Sequence, residues 1–369
     1  MTKYEEEFNS KWESYKNENK IPNILLLGKS GVGKSSLVNS IFGIDLAKVS
    51  NSKPETQGFN FYDGEENGIS VNLIDSAGYE ANQGKTYYEF IKNGIKNGIT
   101  YKGRTEKVNL IWYCISVRHE RIEPIDLNTI SKLNQEKEIK DKICIVFTKC
   151  DLDTIDGKYA KILRNILQEK VGIIESFETS TDNEIKDQLD TKKLIKWSVD
   201  HLDEDDLKEN FVAAQKEDLE TKKEEASKII KRAVGIAGVT GAAPIPFSDA
   251  VLLVPVQVDM TRRIINIYGI SSLVTISESL VSDVFISQLG KSLVTNILKI
   301  IPVVGSVVGG TVSATIAASI TGALGVAVSE VCFNNVKRFL NGEEIDWENL
   351  FIFEELIKIV KEELKKRKW

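Results

Sequence analysis

The sequence predicts an α/β domain with a six-stranded, mainly parallel sheet, followed by an all-helical domain. Short apolar runs alternate with polar segments of helical length over the first 200 residues. After about residue 200 no strand pattern recurs. Strands that alternate with helices typically form a parallel sheet covered on both faces, and a chain of 369 residues is long enough for two domains.

Six apolar runs are the predicted strands. They lie at residues 23–27, 59–62, 69–74, 108–117, 142–147 and 171–177. Only the segment DGEENG separates the second run from the third, and its Asp-Gly and Asn-Gly pairs are turn signals, so we expect an antiparallel hairpin there. Before the first strand, four aromatic residues recur at helical spacing and predict an amphipathic helix over residues 1–20.

The second half of the chain is charged and helical, and it contains long apolar runs. We therefore divide the chain into a helix over 1–20, an α/β domain over 21–200 and a helical domain over 201–369. The uncharged run at 300–329 is long enough to cross a membrane. Its five glycines and its proline equally suit a buried helical hairpin, so both interpretations stay open.

The chain ends in a predicted amphipathic helix with Asp346 as its N-cap. Its basic end, KKRKW, complements the helix dipole or meets anionic lipid.

Composition restricts the partners and the compartment. The net charge is −6, whereas a generic nucleic-acid binder is usually basic, so we expect no nucleic acid. The four cysteines show no paired metal spacing, and the N-terminus has no apolar signal core. We expect a cytoplasmic protein, with peripheral attachment to a membrane or insertion into it as the alternatives.

The segment GKSGVGKSS directly follows the first predicted strand and fits the pattern G-x-x-x-x-G-K-[ST]. Such glycines let backbone N–H groups face phosphate oxygens, and the following helix presents its positive end to the same anion. Lys34 would reach the β- and γ-phosphates, and Ser35 would offer its hydroxyl to Mg²⁺. The predicted phosphate-binding residues are Gly28, Lys29, Ser30, Gly31, Val32, Gly33, Lys34, Ser35 and Ser36.

The segment TKCD follows the strand at 142–147 and predicts which base is bound. The carboxylate of Asp151 can accept hydrogen bonds from the ring N–H and the exocyclic amine of guanine, a pair of donors that adenine lacks. Lys149 can lay its aliphatic stem along the base. The predicted base-binding residues are Thr148, Lys149 and Asp151, with Thr179 and Ser180 as support at the end of the last strand.

Three further residues are candidates for Mg²⁺ and the γ-phosphate. Asp75 ends the third predicted strand in the segment DSAG and would hold Mg²⁺ through water. The backbone N–H of Gly78 would sense the γ-phosphate. Thr56 is the candidate switch hydroxyl that meets Mg²⁺ when GTP is bound, with Ser50 and Ser52 as alternatives in the same segment.

In order and spacing, these motifs resemble those of the translation-factor-class GTPases, close to the Era-like and septin-like branches, over about residues 21–200. The resemblance implies a Ras-like P-loop fold, GTP/GDP and Mg²⁺ as ligands, and GTP hydrolysis. Ser76 and Ala77 depart from the usual DTPG-type motif, and Thr148 replaces a commoner asparagine, which predicts a weaker link between base motif and phosphate loop. Gly31 replaces the asparagine that supports potassium activation in some members, so we do not expect that mechanism.

The catalytic group that orients water is not evident. Ras-like members carry a glutamine where Tyr79 stands, so we expect slow intrinsic hydrolysis that is completed by a homodimer or a protein activator. Arg121, in a loop that also carries Arg118, is a candidate finger toward the γ-phosphate of a facing copy; a solvated loop is the alternative. Gln83 is a second candidate for positioning water. The predicted catalytic residues are Lys34, Thr56, Gly78 and Arg121.

Residues 225–335 resemble a helical domain of unassigned function that follows Era-like GTPase domains in some bacterial proteins. The favoured hypothesis is a GTP-hydrolysing conformational switch with the helical domain as its output. A membrane-acting effector, similar in architecture to dynamin-like or interferon-inducible GTPases, is the second hypothesis. A scaffold that binds GTP and hardly cleaves it is the third. An ATPase is disfavoured because it leaves TKCD unexplained.

Overall fold

The computed structural model describes residues 20–43, 58–64, 66, 69–76, 87–119, 121–216, 218–240, 245–246, 253–270, 311–312, 314–347, 350–351 and 353–366. These residues form two compact units that divide after Lys216. The predicted N-terminal helix up to residue 19, the switch candidates Ser50, Ser52 and Thr56, and Gly78, Tyr79 and Gln83 lie outside the described residues.

The first unit is built on the predicted sheet. Its strands are β1 Asn23–Leu27, β2 Phe59–Tyr62, β3 Asn72–Ser76, β4 Ile99–Tyr101, β5 Arg104–Glu106, β6 Leu110–Ser116, β7 Ile143–Thr148 and β8 Ser176–Glu178. Six of them form one sheet in the order β2-β3-β1-β6-β7-β8. All neighbours are parallel except the β2–β3 hairpin, so the predicted sheet and its hairpin are confirmed.

The helices of this unit are α1 Lys34–Phe42, α2 Tyr87–Asn97, α3 Pro124–Gln135, α4 Lys158–Lys170, α5 Thr191–Asp200 and α6 Asp205–Ala214. The central strands β1, β6 and β7 are buried along their whole length, as their unbroken apolar runs predict. The carboxyl ends of β1, β3, β6 and β7 meet at one edge of the sheet, where ligands of parallel sheets bind.

Two details of the sheet differ from the prediction. The run at 171–177 supplies a strand only at its end, because Gly172 turns the chain with a φ of +96° and Ile173 is 91% exposed. The antiparallel β4–β5 hairpin was not predicted, because its strands are three residues long and largely polar.

The first unit extends to Lys216, beyond the boundary that the sequence places at residue 200. Phe211 on α6 packs edge-on against Phe42 and Trp112, with ring centroids 5.9 and 6.3 Å away. The backbone N–H of Lys216 donates to Ile41 O at 3.1 Å. Charged residues surround Phe211 in the sequence, so this buried face has no clear apolar pattern.

The second unit is helical in the part of the chain that the structure describes, apart from one short ribbon. Its elements are α7 Leu219–Thr240, β9 Ile245–Pro246, α8 Val254–Ile267, β10 Thr311–Val312, α9 Ala314–Leu340 and α10 Phe353–Lys366. The predicted all-helical second part is therefore confirmed with this two-stranded addition. The last helix begins at Phe353 rather than after Asp346, because Leu350 and Phe351 are buried in bends before it.

Helix α9 contains the later part of the uncharged run at 300–329. It is long and apolar enough to cross a membrane, and 67% of its most apolar window is buried inside the protein. Gly325 lies where α9 meets α7 and α8: a Cβ atom there would approach Ile230 Cγ1 to 2.7 Å and Met260 Sδ to 2.8 Å. The small residue thus allows close packing of the three helices. Residues 300–310 lie outside the described residues.

Lys222 on α7 is buried inside the second unit, with 2% of its surface exposed. Its ammonium donates to Ile267 O, at the last residue of α8, at 3.1 Å. Burial lowers the pKa of Lys222 to about 7, although the negative charge of Asp218 acts to raise it.

The four cysteines, Cys114, Cys144, Cys150 and Cys332, are all free and buried. Burial raises the pKa of each thiol above its ordinary value, to about 12 for Cys114 and Cys150. They act as small apolar core residues.

Candidate functional site

The loop between β1 and α1 follows a path that requires glycine. Gly28, Gly31 and Gly33 have φ angles of +122°, +77° and +109°. At Gly28 a Cβ atom would lie 2.2 Å from Cys114 O on the neighbouring strand. Gly33 is the N-cap of α1, and no side-chain cap occupies the first turn among the described residues. Open backbone N–H groups at a helix start favour an anion there.

Lys34 lies over this loop with 8% of its surface exposed. Its ammonium donates to Gly28 O at 2.9 Å, with Lys29 O at 3.4 Å. It is also 3.4 Å from Asp75 Oδ1, which is an ion-pair distance. A buried positive charge therefore lies next to the open start of α1, where a phosphate group would bind.

Asp75, the residue before the last of β3, has a buried carboxylate oxygen. The Lys34 ammonium is the nearest cation to Oδ1, at 3.4 Å, while its shorter hydrogen bond goes to Gly28 O in the loop. Burial raises the pKa of Asp75, and the Lys34 charge opposes that shift. Oxygen ligands suit Mg²⁺, so this carboxylate and the exposed Ser35 hydroxyl in the first turn of α1 fit that ion. Gly78 and Thr56, the other candidates, lie outside the described residues.

Ser76, which departs from the family pattern, is buried and bonded. Its hydroxyl donates to Leu26 O at 3.4 Å and lies 3.1 Å from Tyr87 OH. Burial raises the pKa of Tyr87 to about 12. These two contacts connect the end of β3 to β1 and to the start of α2. Ser76 therefore has a structural role in this motif.

The base motif is bonded directly to the phosphate loop. Thr148 Oγ1 donates to Val32 O at 2.5 Å. Lys149 has a left-handed backbone, with φ of +58°, and its ammonium donates to Gly31 O at 2.7 Å. Thr148 thus makes a direct link to the loop carbonyl with its short hydroxyl; whether this link is weaker than that of an asparagine stays a prediction.

The residues of the last strand hold the base motif from the other side. Ser180 Oγ donates to Asp151 Oδ1 at 2.6 Å, and Asp182 N donates to Ser180 Oγ at 3.0 Å. Thr179 Oγ1 donates to Phe147 O at 2.8 Å, and Thr179 O accepts from Cys150 N at 3.1 Å. The carboxylate of Asp151 is thereby oriented by one hydrogen bond and is exposed at the edge of the site.

A cavity of about 250 Å³ joins the phosphate loop to the base motif. Its lining residues are Gly33, Ser36, Leu37, Arg118, Thr148, Lys149, Asp151, Leu152, Thr179, Ser180 and Thr181. The structure thus brings together seven of the predicted residues around one space. Four lining residues were not predicted to contact the nucleotide: Leu37, Arg118, Leu152 and Thr181. The pairing of β6 with β7 places Arg118 near the base motif, because Ser116 pairs with Thr148 and Arg118 follows two residues later.

Arg121 does not line this cavity. It is 75% exposed and pairs with Glu123 at 3.2 Å. Its role toward a facing copy stays a prediction. Asp126 was not among the predicted site residues; it is buried and accepts a hydrogen bond from Tyr113 OH at 2.6 Å. Burial raises the pKa of Asp126; in the sequence it resembles an ordinary acidic residue in the first turn of a helix.

Comparison with known proteins agrees with this geometry. Residues 23–149 match the family described as 50S ribosome-binding GTPase, and residues 203–346 match a domain of unknown function (DUF697). A probable GTP-binding protein EngB from Campylobacter jejuni is 30% identical over 187 residues, which are 49% of this chain and 82% of that protein. GTP-binding protein A from Dictyostelium discoideum is 46% identical over 63 residues, 17% of this chain and 14% of that protein.

Solved structures are also similar. Era from Aquifex aeolicus bound to GDP and aluminium fluoride is 19% identical, with a TM-score of 0.33, over 50% of this chain and 58% of that chain. Toc33 from Arabidopsis thaliana is 20% identical, with a TM-score of 0.33, over 49% of this chain and 79% of that chain.

The family assignment rests on the extent of the match to EngB, which covers 82% of that protein. The family match over residues 23–149 includes the phosphate loop and the first two residues of the base motif, Thr148 and Lys149. This chain binds guanine nucleotide and belongs to the EngB-like P-loop GTPases, enzymes that hydrolyse GTP.

Proposed function

We propose that this chain is a Mg²⁺-dependent GTPase that works as a conformational switch, with the helical unit as its output. The observation that carries the proposal is the buried Asp75 oxygen near the end of β3, 3.4 Å from the buried ammonium of Lys34 in the phosphate loop. Such an oxygen suits a ligand that arrives with the nucleotide. The chain continues from β3 into the segment whose response to the γ-phosphate would constitute the switch.

The site residues divide into a base group and a phosphate group. Asp151, oriented by Ser180, accepts from the guanine donors, and Lys149 covers the base while it holds the loop. Lys34 and the open start of α1 bind the phosphates. The predicted Mg²⁺ residues are Ser35, Thr56 and Asp75. When bound, the ion would neutralise charge that develops on the phosphate oxygens.

The sequence motifs of this chain give no clear group that would position the attacking water. Tyr79 takes the position of the family glutamine, so a facing copy or a protein activator is proposed to complete the site, with Arg121 or Gln83 as the candidate group. Turnover per molecule should then rise with protein concentration, and less steeply for Arg121→Ala. A flat dependence for both proteins would exclude a dimeric active site that uses this arginine.

A membrane-acting effector is the second candidate, favoured by the length and apolar character of α9. The test is GTP turnover with and without liposomes, with Lys34→Ala as the blank. Stimulation of about tenfold corresponds to about 1.4 kcal/mol of barrier and would make the effector the better proposal. An unchanged rate, together with no flotation in any nucleotide state, supports a cytoplasmic switch. Single-turnover hydrolysis separates both candidates from a scaffold that binds GTP without cleaving it.

A further inference from the structure

Asp75 stands where the pairing of β1 with β3 stops. The ladder between these strands ends with the pair Leu26 and Asp75, while β3 stays paired on its other side with β2, the edge strand of the sheet. Mg²⁺ demands near-ideal octahedral geometry, so a carboxylate that serves it has to be held in place. The contacts just beyond this last pair therefore bear on the distance between Asp75 and the phosphate loop.

A series of three hydrogen bonds continues the connection beyond that pair. The Ser76 hydroxyl donates to Leu26 O at 3.4 Å and lies 3.1 Å from Tyr87 OH. A hydroxyl group has one proton to donate, so Tyr87 is the donor in the second contact. The hydroxyl oxygen of Tyr87 in turn accepts a hydrogen bond from the backbone of Gly28, the first residue of the phosphate loop.

Tyr87 thus contacts both parts of the site from one buried position. It is the first residue of α2, and its hydroxyl reaches the residue after Asp75 as well as the start of the loop that carries Lys34. The charge of Asp75 acts to raise the pKa of Tyr87, which agrees with a hydroxyl close to that carboxylate. Buried hydroxyls that are bonded on both sides keep their neighbours in one arrangement.

We propose that Tyr87 is a positioning residue for Asp75, and that through Ser76 and Gly28 it sets the distance between the end of β3 and the phosphate loop. The inference rests on the proposed role of Asp75 toward Mg²⁺. Groups that orient a metal ligand without touching the metal change metal affinity by about tenfold or more when they are removed. A tyrosine that only fills the core would change stability and leave the effect of Mg²⁺ as it is.

The test uses Tyr87→Phe, which keeps the buried ring and removes the hydroxyl. The matched control is Tyr88→Phe, because the next residue of α2 is also buried and its hydroxyl donates to Glu136 Oε1 at 2.8 Å. Calorimetry on the full chain measures the affinity for a non-hydrolysable GTP analogue, once with Mg²⁺ and once with EDTA. Mg²⁺ should tighten binding by the same factor in wild type and in the control. In Tyr87→Phe this factor should be about tenfold smaller, with the affinity in EDTA unchanged.

Ser76→Ala breaks the same series of bonds at its other member. It should reduce the effect of Mg²⁺ as Tyr87→Phe does. The double variant should lose no more than either single variant, because both changes remove one connection. Independent, additive losses would mean that the two hydroxyls do not act through each other, and the inference would then be wrong.

Three further results would overturn the inference. One is an unchanged effect of Mg²⁺ in Tyr87→Phe. Another is an equal reduction in Tyr88→Phe, which would indicate a general loosening of α2. The third is an equal loss of affinity with Mg²⁺ and with EDTA, which would mean that Tyr87 shapes the phosphate loop alone. Wild type that binds the analogue equally well with Mg²⁺ and with EDTA would instead contradict the proposed Mg²⁺ site itself.

Discussion

At the residue scale, Thr148 and Lys149 join two motifs that are far apart in the chain. The Thr148–Val32 bond spans 116 positions of sequence and the Lys149–Gly31 bond spans 118. Both donors come from the base motif and both acceptors are carbonyls of the phosphate loop. The loop is therefore held in place by residues that are also predicted to bind the base, so we expect base binding and loop geometry to depend on one another.

Replacing Thr148 with valine tests this dependence. The change keeps the shape of the side chain but removes the donor to Val32 O, leaving a buried carbonyl without that bond. We expect a loss of about 1–2 kcal/mol in the free energy of unfolding and a several-fold weaker affinity for GDP. Urea denaturation and calorimetry measure the two effects.

The matched control is Thr129→Val on α3, where the hydroxyl donates to Ile125 O at 2.8 Å within one helix. That variant should lose stability without a change in GDP affinity. If the two variants bind GDP equally well, the Thr148 bond does not shape the nucleotide site.

At the scale of the element, α9 illustrates how one small residue sets the packing of three helices. The side chains of Ile230 from α7 and Met260 from α8 lie so close to Gly325 that a Cβ atom would not fit there. Gly235, on the exposed side of α7, has open space around it. The same substitution should therefore have opposite effects at the two positions.

We expect Gly325→Ala to destabilise the helical unit by about 1–3 kcal/mol through overpacking. Gly235→Ala should stabilise it by about 0.5–1 kcal/mol, because alanine is the better helix former. Thermal unfolding of both variants measures the difference. Equal shifts in the same direction would mean that helix propensity, and not packing, dominates at Gly325.

The junction between α7 and α8 should make stability depend on pH. In the folded chain the pKa of Lys222 is about 7, whereas an exposed lysine has 10.5. Between these values the unfolded chain binds a proton that the folded unit does not, so the free energy of unfolding should rise with pH across this window. The gain is lost as pH falls through about 7, because Lys222 must then be charged while buried.

Lys222→Met should remove this dependence, which chemical denaturation at a series of pH values would show. Lys228→Met is the control, since that lysine is 56% exposed and pairs with Glu225 on the same helix. Parallel pH curves for wild type and Lys222→Met would contradict a buried neutral lysine.

Strands and helices with a clear local pattern of apolar residues could be predicted from the sequence. Elements whose packing depends on contacts with distant residues were harder to predict. The apolar runs of β1, β6 and β7 predict central strands because a parallel sheet buries both faces. The β4–β5 hairpin has no such run, and the charged sequence of α6 conceals the aromatic contact of Phe211. Arg118 was noticed but not assigned, because its relation to Thr148 exists only through the register of two strands.

At the scale of the whole molecule, two units share one chain, and the cavity proposed to bind the nucleotide is lined by residues of the unit at 20–216. If the helical unit is the output of the switch, its stability must depend on which nucleotide is bound. GDP at about one hundred times its Kd should stabilise the first unit by about 2.7 kcal/mol. Gly325→Ala identifies the transition of the helical unit by shifting it.

The expected result is that the helical transition differs between protein bound to GDP and protein bound to a non-hydrolysable GTP analogue. Scanning calorimetry of the full chain, with the Gly325→Ala variant as the marker, resolves the two transitions. A helical transition at the same temperature in both nucleotide states would count against the output role and leave GTP hydrolysis untouched.

The four buried cysteines make the chain convenient for spectroscopy. Their thiols are shielded and hold their protons at neutral pH, so they should react slowly with maleimide dyes or spin labels. A cysteine introduced at an exposed position such as Lys161 or Lys361 would then carry the label alone, with the native thiols left in place. One such position in each unit gives a pair for distance measurements, through which the nucleotide cycle could be followed directly in solution.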